Sequence, residues 1–460
     1  MKNLQVLPFL FFFFVVASWP FVYYPFTDLD ITHWVPIAKE VRVSAHIFTS
    51  ANDQTHGPLL SWSAAFFSLV TPHSAYAYAL FSILIGVLGV YWVYYFSKKI
   101  WADNKTGKTG EGVGKLAAFL LSTSIFAVYM ARTPMYDLPA TVFYFGFTGF
   151  YLLHVLGSVG QDAKRTNKYY WWALICVGLG VLNRFSIVMG LSGIYVLLVG
   201  LIYRRSLVKI FRDGLLVALS GCLFLAPWFV GQYVAHGQVF IHDFLADNMG
   251  RFFKEPQLDA PVYRDYYSFP LYVFVGFLPH SFALLMSIFQ KGGLKRIKAS
   301  KIYQAFLAGF LPCLILFSFS GHVKLGRYIS YVFPMLTLYG AHMLYAFDLD
   351  NEKWRKRTLR MAAGTLVFIG LLLLILILQF KQQASEGLPF AFGLIGLLLS
   401  HIGYMYCLIK NKYADFKENS QKYLGFMALV YILFFTIVTY ESFHANFLSG
   451  IRQQVDAIIK

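Results

Sequence analysis

A small set of ionisable residues interrupts or borders long apolar runs in this chain, and these could do chemistry. Asp28 and Asp30 follow the first apolar run. Arg132 and Asp137 lie in the short stretch Ala-Arg-Thr-Pro-Met-Tyr-Asp-Leu-Pro. Arg184 breaks Gly-Leu-Gly-Val-Leu-Asn-Arg-Phe-Ser, and Lys324 and Arg327 stand in Ser-Gly-His-Val-Lys-Leu-Gly-Arg-Tyr. Ionisable groups at a membrane boundary are costly unless solvated, paired or functional. Cations there can hold the phosphate of a lipid-linked substrate through charge-assisted hydrogen bonds. A nearby carboxylate can take a proton from an attacking hydroxyl, and the cations would stabilise charge growing on a departing lipid phosphate. The three carboxylates and four cations together therefore suit sugar transfer from a polyprenyl-phosphate carrier. Arg184, Lys324, Arg327 and Arg132 would be the phosphate ligands. His33, His56 and Tyr328 are neighbouring candidates for contacting substrate.

The elements that position these residues follow from composition. The chain has 460 residues, 58% hydrophobic, 19% aromatic and 13% charged. Soluble domains run near 45–50% apolar and roughly 25% charged, so a water-soluble globular protein and a disordered chain are both excluded. The four cysteines, Cys176, Cys222, Cys313 and Cys407, sit inside apolar runs without metal or disulfide spacing. A membrane-spanning helix needs roughly 20 apolar residues. Thirteen stretches qualify: 5–25, 75–97, 114–131, 138–158, 169–183, 185–203, 213–232, 268–289, 302–320, 327–347, 360–380, 388–409 and 422–440. The expected fold class is an all-α polytopic membrane protein, with the first apolar run an uncleaved span.

The net charge of +17 would suggest nucleic acid in a soluble protein. With the N-terminus cytoplasmic and the spans alternating, 27 of the 39 basic residues fall on the inner side. The inner segments then carry +18 and the outer ones −1. The positive-inside rule thus explains the whole excess, and no nucleic-acid partner is expected. The C-terminus falls on the outer, periplasmic side. Two outer segments are long, 26–74 and 233–267, and each reads as an amphipathic helix lying on the membrane. In the first, Ile31, Trp34, Ala38, Val41 and Ala45 repeat at helical spacing. In the second, Phe240, Phe244 and Phe252 alternate with His242, Asp247 and Arg251. Residues 1–347 form the module that carries these loops. Residues 348–460 add further spans and no large soluble domain. The Gly-Lys-Thr within 104–114 lacks the spacing of a phosphate-binding loop.

In order along the chain, these residues resemble the GT-C membrane glycosyltransferases, notably the lipid A aminoarabinose transferases and protein O-mannosyltransferases. The acidic outer motif of that family is matched by Asp30, Trp34 and Glu40, with Ile31 in place of its second acid. The family's Lys-Pro-Pro element corresponds to His56-Gly57-Pro58. Asp137 matches the acid of the third-to-fourth turn. Asn183-Arg184-Phe185 matches the basic turn before the sixth span, and Lys324-Leu325-Gly326-Arg327-Tyr328 matches the turn before the tenth. The resemblance implies an inverting single displacement with Asp30 as general base. It also implies a polyprenyl-phosphate sugar donor and a glycolipid, glycan or protein acceptor at the outer face of a bacterial inner membrane. Metal-binding relatives use a Glu and a His where this chain has Thr55 and Asn248. No cofactor is therefore expected, with His56 the residue that would ligate a divalent cation if one bound. The alternative is a transporter or flippase of a lipid-linked sugar, which would show internal repeats and broken helices near the midplane.

Overall fold

In the computed structural model the described residues are 4–18, 31–44, 56–70, 75–102, 108–133, 135–159, 163–248, 293–319 and 326–345, with isolated positions within 269–288 and residue 356. Among them every regular element is helical. The helices are α1 (Leu7–Ser18), α2 (Ile31–Ser44), α3 (Leu59–Val70), α4 (Ala75–Ile100), α5 (Lys108–Ser122), α6 (Ile125–Arg132), α7 (Asp137–Val159), α8 (Ala163–Val181) and α9 (Phe185–Ile202). There follow α10 (Leu207–His236), α11 (Gln238–Asn248), α12 (Gly293–Ala299), α13 (Lys301–Phe319) and α14 (Phe333–Tyr345), the last preceded by a 3-10 segment, Gly326–Val332. Five described helices are long and apolar enough to cross a membrane: α4, α7, α9, α10 and α13. The chain is an integral membrane protein. The expected spans beyond 347 lie outside the described residues.

Helix α7 is the centre of the bundle. Buried residues occupy 89% of its most apolar window, the pattern of a helix enclosed on all sides. Small residues let its neighbours approach closely, as in other membrane helix pairs. Gly146 faces the Trp92 ring and Gly149 the Phe96 ring, so that a Cβ at either position would lie 2.3–2.4 Å from ring carbons. Polar staples complete the packing. Tyr144 Oη donates to the Gly309 carbonyl at 2.9 Å, and Thr141 Oγ1 pairs with Ser330 Oγ at 2.7 Å. Fourteen residues beyond Asp137, ~21 Å along a helix, Tyr151 Oη donates to the Asp213 carboxylate at 3.1 Å. Arg205 binds both Tyr151 and Asp213, so this buried carboxylate is neutralised and ties α7 to α10.

Three expectations change in detail. The third stretch, 114–131, is not one straight helix: α5 and α6 meet at a bend of 61°. Ser122 and Thr123 hydroxyls turn back onto the Phe119 carbonyl, while Ser124 takes an extended conformation and caps the Ala127 amide. Hydroxyls that satisfy backbone groups locally in this way compete with a continuous helix. The seventh helix is longer than 213–232: α10 runs through Pro227 to His236 and stops at Gly237, whose φ of +62° suits glycine. The outer segment 233–267 therefore begins as a continuation of α10, followed by α11. The fifth, expected over 169–183, starts six residues earlier at Ala163 and ends at Val181. In the first long segment α2 forms over Ile31–Ser44, with Ala38 and Val41 of the expected stripe buried and Ile37 buried beside them.

Replacing Gly149 by leucine should push Phe96 out of its seat and separate α4 from α7. Overpacking of this kind costs ~1–3 kcal/mol. Thermal unfolding of the purified chain in detergent should show a lowered midpoint.

Candidate functional site

Three chain turns converge at one end of the bundle. The first is His56-Gly57-Pro58, which leads into α3. The second is Met135-Tyr136, which leads into α7 with Asp137 as its first residue. The third is Leu182-Asn183-Arg184, which leads into α9 with Arg184 in the capping position. Each helix begins here. Helix N-termini carry about half a positive charge each and leave backbone N–H groups unpaired within the helix. The meeting point therefore favours negative charge before any side chain is counted.

Backbone contacts lock the turns together. Leu59 N–H donates to the Leu182 carbonyl at 3.1 Å, and the amides of Asn183 and Arg184 both donate to the Gly180 carbonyl. Gly57 lies so close that a Cβ there would stand 2.1 Å from the Leu182 oxygen. Asn183 Nδ2 closes the α8 end on the Leu179 carbonyl.

The side chains converge in turn. Arg184 Nη2 lies 3.5 Å from Asp137 Oδ1, with side chains 9% and 1% exposed. Arg184 Nη1 lies 3.2 Å from His56 Nε2. Arginine can only donate, so His56 accepts through Nε2 in this contact. The His56 ring stacks on Tyr136 at 4.8 Å, and the Arg184 guanidinium lies 5.8 Å from the centre of the same Tyr136 ring. The 3-10 segment joins through Ser330, which binds Thr141 one turn beyond Asp137. Arg327 and Tyr328 thus belong to an element docked on the first turns of α7. Beside the network opens a cleft bordered by His56, Ser61, Trp62, Tyr136, Trp228 and Gln232, with Ile37 and Val41 of α2 forming an apolar wall.

Of the residues singled out from the sequence, His56, Asp137 and Arg184 come into direct contact. Arg132 is buried elsewhere in the hydrogen-bond scheme: its Nη1 donates to the Val16 carbonyl in the last turn of α1 at 3.3 Å. Asp137 therefore has Arg184 as an ion-pair partner, whereas Arg132 satisfies a carbonyl that the end of α1 leaves open. Tyr328 is half-buried and stacks on Phe317. His33 lies on α2 and Arg327 in the 3-10 segment. Asp28, Asp30 and Lys324 lie outside the described residues. The sequence reading passed over Tyr136, which links two of the three turns, although it adjoins Asp137 directly. It also passed over Trp228 and Gln232, one turn apart on α10. A buried amide in a helix this apolar was the available signal.

Among the described residues no group of three His, Cys, Asp or Glu side chains is placed to hold a metal. Asn248, the position at which the resemblance led one to look for a His, donates to the Phe244 carbonyl and accepts from Ser186. An amide engaged in this way is a poor ligand for a transition metal.

The chain is similar to several known proteins. The family model described as dolichyl-phosphate-mannose-protein mannosyltransferase matches residues 55–230, a span that holds His56, Asp137 and Arg184. An uncharacterized protein of Aquifex aeolicus is 26% identical over 341 residues, covering 70% of this chain and 60% of that protein. The undecaprenyl phosphate-alpha-4-amino-4-deoxy-L-arabinose arabinosyl transferase of Aeromonas hydrophila is 27% identical over 231 residues, covering 50% and 39% respectively. The chain thus spans 60% of the length of the first relative and 39% of the second. The crystal structure of ArnT from Cupriavidus metallidurans bound to undecaprenyl phosphate superimposes with a TM-score of 0.71 at 18% identity, covering 95% of this chain and 76% of that one. The fold is that of the GT-C membrane glycosyltransferases. Within that class the chain resembles the aminoarabinose transferases and the protein mannosyltransferases, as the ordered motifs imply.

Gly57→Ala should force the His56 turn away from Leu182 and cost ~1–3 kcal/mol in the same unfolding assay. Gly190, whose Cβ position is open, is the control. Gly190→Ala should leave stability unchanged or raise it by up to ~1 kcal/mol through helix propensity.

Proposed function

We propose that this protein transfers a sugar from a polyprenyl-phosphate-linked donor to an acceptor hydroxyl at the outer face of a bacterial inner membrane, by inverting single displacement. The observation that carries this reading is the Arg184 guanidinium, held by Asp137 and His56 where three helix N-termini meet. Donor fork and helix ends together form a site for the lipid phosphate. Asp137 serves mainly to orient Arg184, with its carboxylate tied to that cation. Arg327 and Lys324 would help stabilise the charge left on the phosphate as the sugar departs.

Asp30 is the general base of this proposal. It accepts the proton of the acceptor hydroxyl as that oxygen attacks the anomeric carbon. The lipid phosphate leaves with the bonding electrons, and configuration at that carbon inverts. The thirteen-span layout, the cytoplasmic N-terminus and the membrane-lying role of α2 belong to the same reading. The positive-inside count supports them. The match to a structure bound to undecaprenyl phosphate supports the donor class. No step requires a metal.

The test is an assay of the full-length chain in native membranes with labelled undecaprenyl-phosphate sugars, reading release of undecaprenyl phosphate and appearance of a glycosylated acceptor. Arg184→Gln should reduce turnover by ~10²–10³-fold, the usual loss for one donor to a developing oxyanion. Asp30→Asn should abolish transfer with expression unchanged. Full activity in that variant removes Asp30 from the base role, and movement of intact donor across the membrane without chemistry would replace the enzyme by a flippase. Chelation with EDTA should leave the rate of the wild type unaltered.

A further inference from the structure

The far end of α9 from Arg184 carries a second charged surface. The turn Tyr203–Arg212 holds Arg204, Arg205, Lys209 and Arg212. The corner Gly293–Lys301 holds Lys295, Arg296, Lys298 and Lys301, and neither stretch contains Asp or Glu. The fold brings the two together. Helix α9 packs on α13, and Lys301 Nζ stands 5.6 Å from the centre of the Tyr203 ring. Arg204, Lys209, Lys298 and Lys301 are exposed. Arg205 turns inward to Asp213 and Tyr151 instead. Arg212 reaches the same carboxylate at 3.2 Å, yet its side chain stays 58% exposed.

Two packing contacts fix the rotation of the first turn of α10. Ile210 seats on Gly200 of α9, where a Cβ would lie 2.5 Å from its Cγ1, and Asp213 is fully buried. Leu207, Val208 and Phe211 are therefore turned outward, at 73%, 79% and 75% exposure. The apolar stripe continues through Leu215 and Leu219, down a helix long and apolar enough to cross the membrane. The cations stand at the head of that stripe. Arg204 is also, among the described residues, the one non-glycine with a positive φ, at +54°. It sits in the turn that closes α9, where its amide donates to the Leu201 carbonyl and the Arg205 amide to the Gly200 carbonyl. Glycine takes this conformation without steric cost, so backbone geometry does not account for an arginine there.

Cations at the head of an outward apolar stripe match an anionic phospholipid. Arg and Lys hold a phosphodiester through charge-assisted hydrogen bonds, and an acyl chain covers the stripe. A soluble acidic partner would meet the charge but could not follow the stripe into the membrane. We infer that the membrane face opposite Arg184 binds an anionic glycerophospholipid, with its phosphodiester at Arg204, Lys209 and Lys301 and an acyl chain along Phe211, Leu215 and Leu219. Orientation by net charge needs only a number of cations on one face. Retention of a lipid needs these particular ones, and it is independent of which sugar donor the protein uses.

The test titrates the full chain, purified in a nonionic detergent, with dioleoylphosphatidylglycerol or dioleoylphosphatidylcholine and reads bound lipid by native mass spectrometry. Phosphatidylglycerol should bind at least about tenfold tighter than phosphatidylcholine, and the difference should shrink as salt is added. Arg204→Gly should lower that preference about fivefold, the share of one cation near a lipid surface. Its unfolding midpoint should stay equal or rise, because glycine relieves the backbone. Lys301→Gln should lower the preference by a similar factor. Lys99→Gln, at an exposed position in the last turn of α4, should leave it unchanged. Equal binding of the two lipids by the wild type overturns the inference, as does a preference that survives Arg204→Gly and Lys301→Gln together. An equal loss in Lys99→Gln overturns it too, since the preference would then belong to the whole face. Inorganic phosphate binding as tightly as the lipid has the same consequence, because the apolar stripe would contribute nothing.

Discussion

A guanidinium whose side chain is 9% exposed, at the end of an apolar helix bundle, needs a counter-charge, and Asp137 supplies it to Arg184. Breaking a buried pair by removing one partner typically costs 3–5 kcal/mol, because the remaining charge is left uncompensated. The pair therefore constrains the parts that deliver it. The starts of α7 and α9 must meet, the turns before them must be tight, and His56 must arrive with an acceptor nitrogen toward the same guanidinium. Backbone contacts tighten the turn before α9, through the Gly180 carbonyl that takes two amides, and seat the His56 turn on it, through the Gly57 approach on Leu182.

The arrangement also depends on α7 being rigid. Glycines at 146 and 149 seat the rings of Trp92 and Phe96. Tyr144 fastens the helix to α13, Thr141 to the 3-10 segment, and Tyr151 to Asp213 on α10. A helix held along its whole length presents its first residue at a fixed place. This would suit the phosphate site proposed at Arg184, since binding groups on rigid elements lose less entropy than groups on loops. The two ends of α7 use the same device, a buried carboxylate shared with arginine. They differ in closure. Asp213 is enclosed by Arg205, Arg212 and Tyr151, whereas Arg184 stands beside a cleft.

Much of this was legible in the residues. Hydropathy places α4, α7, α9, α10 and α13, because a helix that meets lipid or other apolar helices must be apolar over its length. The charged turns stand out for the same reason, since a cation in such surroundings is expensive. The motif order from Asp30 to Tyr328 carried the resemblance to GT-C enzymes. The break between α5 and α6 was less visible. Three consecutive hydroxyl residues, Ser122 to Ser124, are compatible with an apolar span until their hydrogen bonds are seen. The extension of α10 through Pro227 also escaped, because composition marks where a helix leaves the apolar phase and not where its backbone ends.

By itself the sequence determined the surroundings in which this protein folds, the turns at which charge is concentrated, and the class of chemistry those charges suit. These are local properties, set by which side chains stand next to one another along the chain. Only the tertiary structure decided which charges are partners. Arg132 and Arg184 are both single cations in short turns. One closes the end of α1 through Val16, while the other joins Asp137 and His56. Likewise nothing local connects Gln232 on α10 with His56 before α3, although both border one cleft. Such pairings depend on how each helix is rotated and tilted against its neighbours. That is fixed by the fit of glycines and aromatic rings across the bundle, and a linear pattern of hydropathy does not encode it.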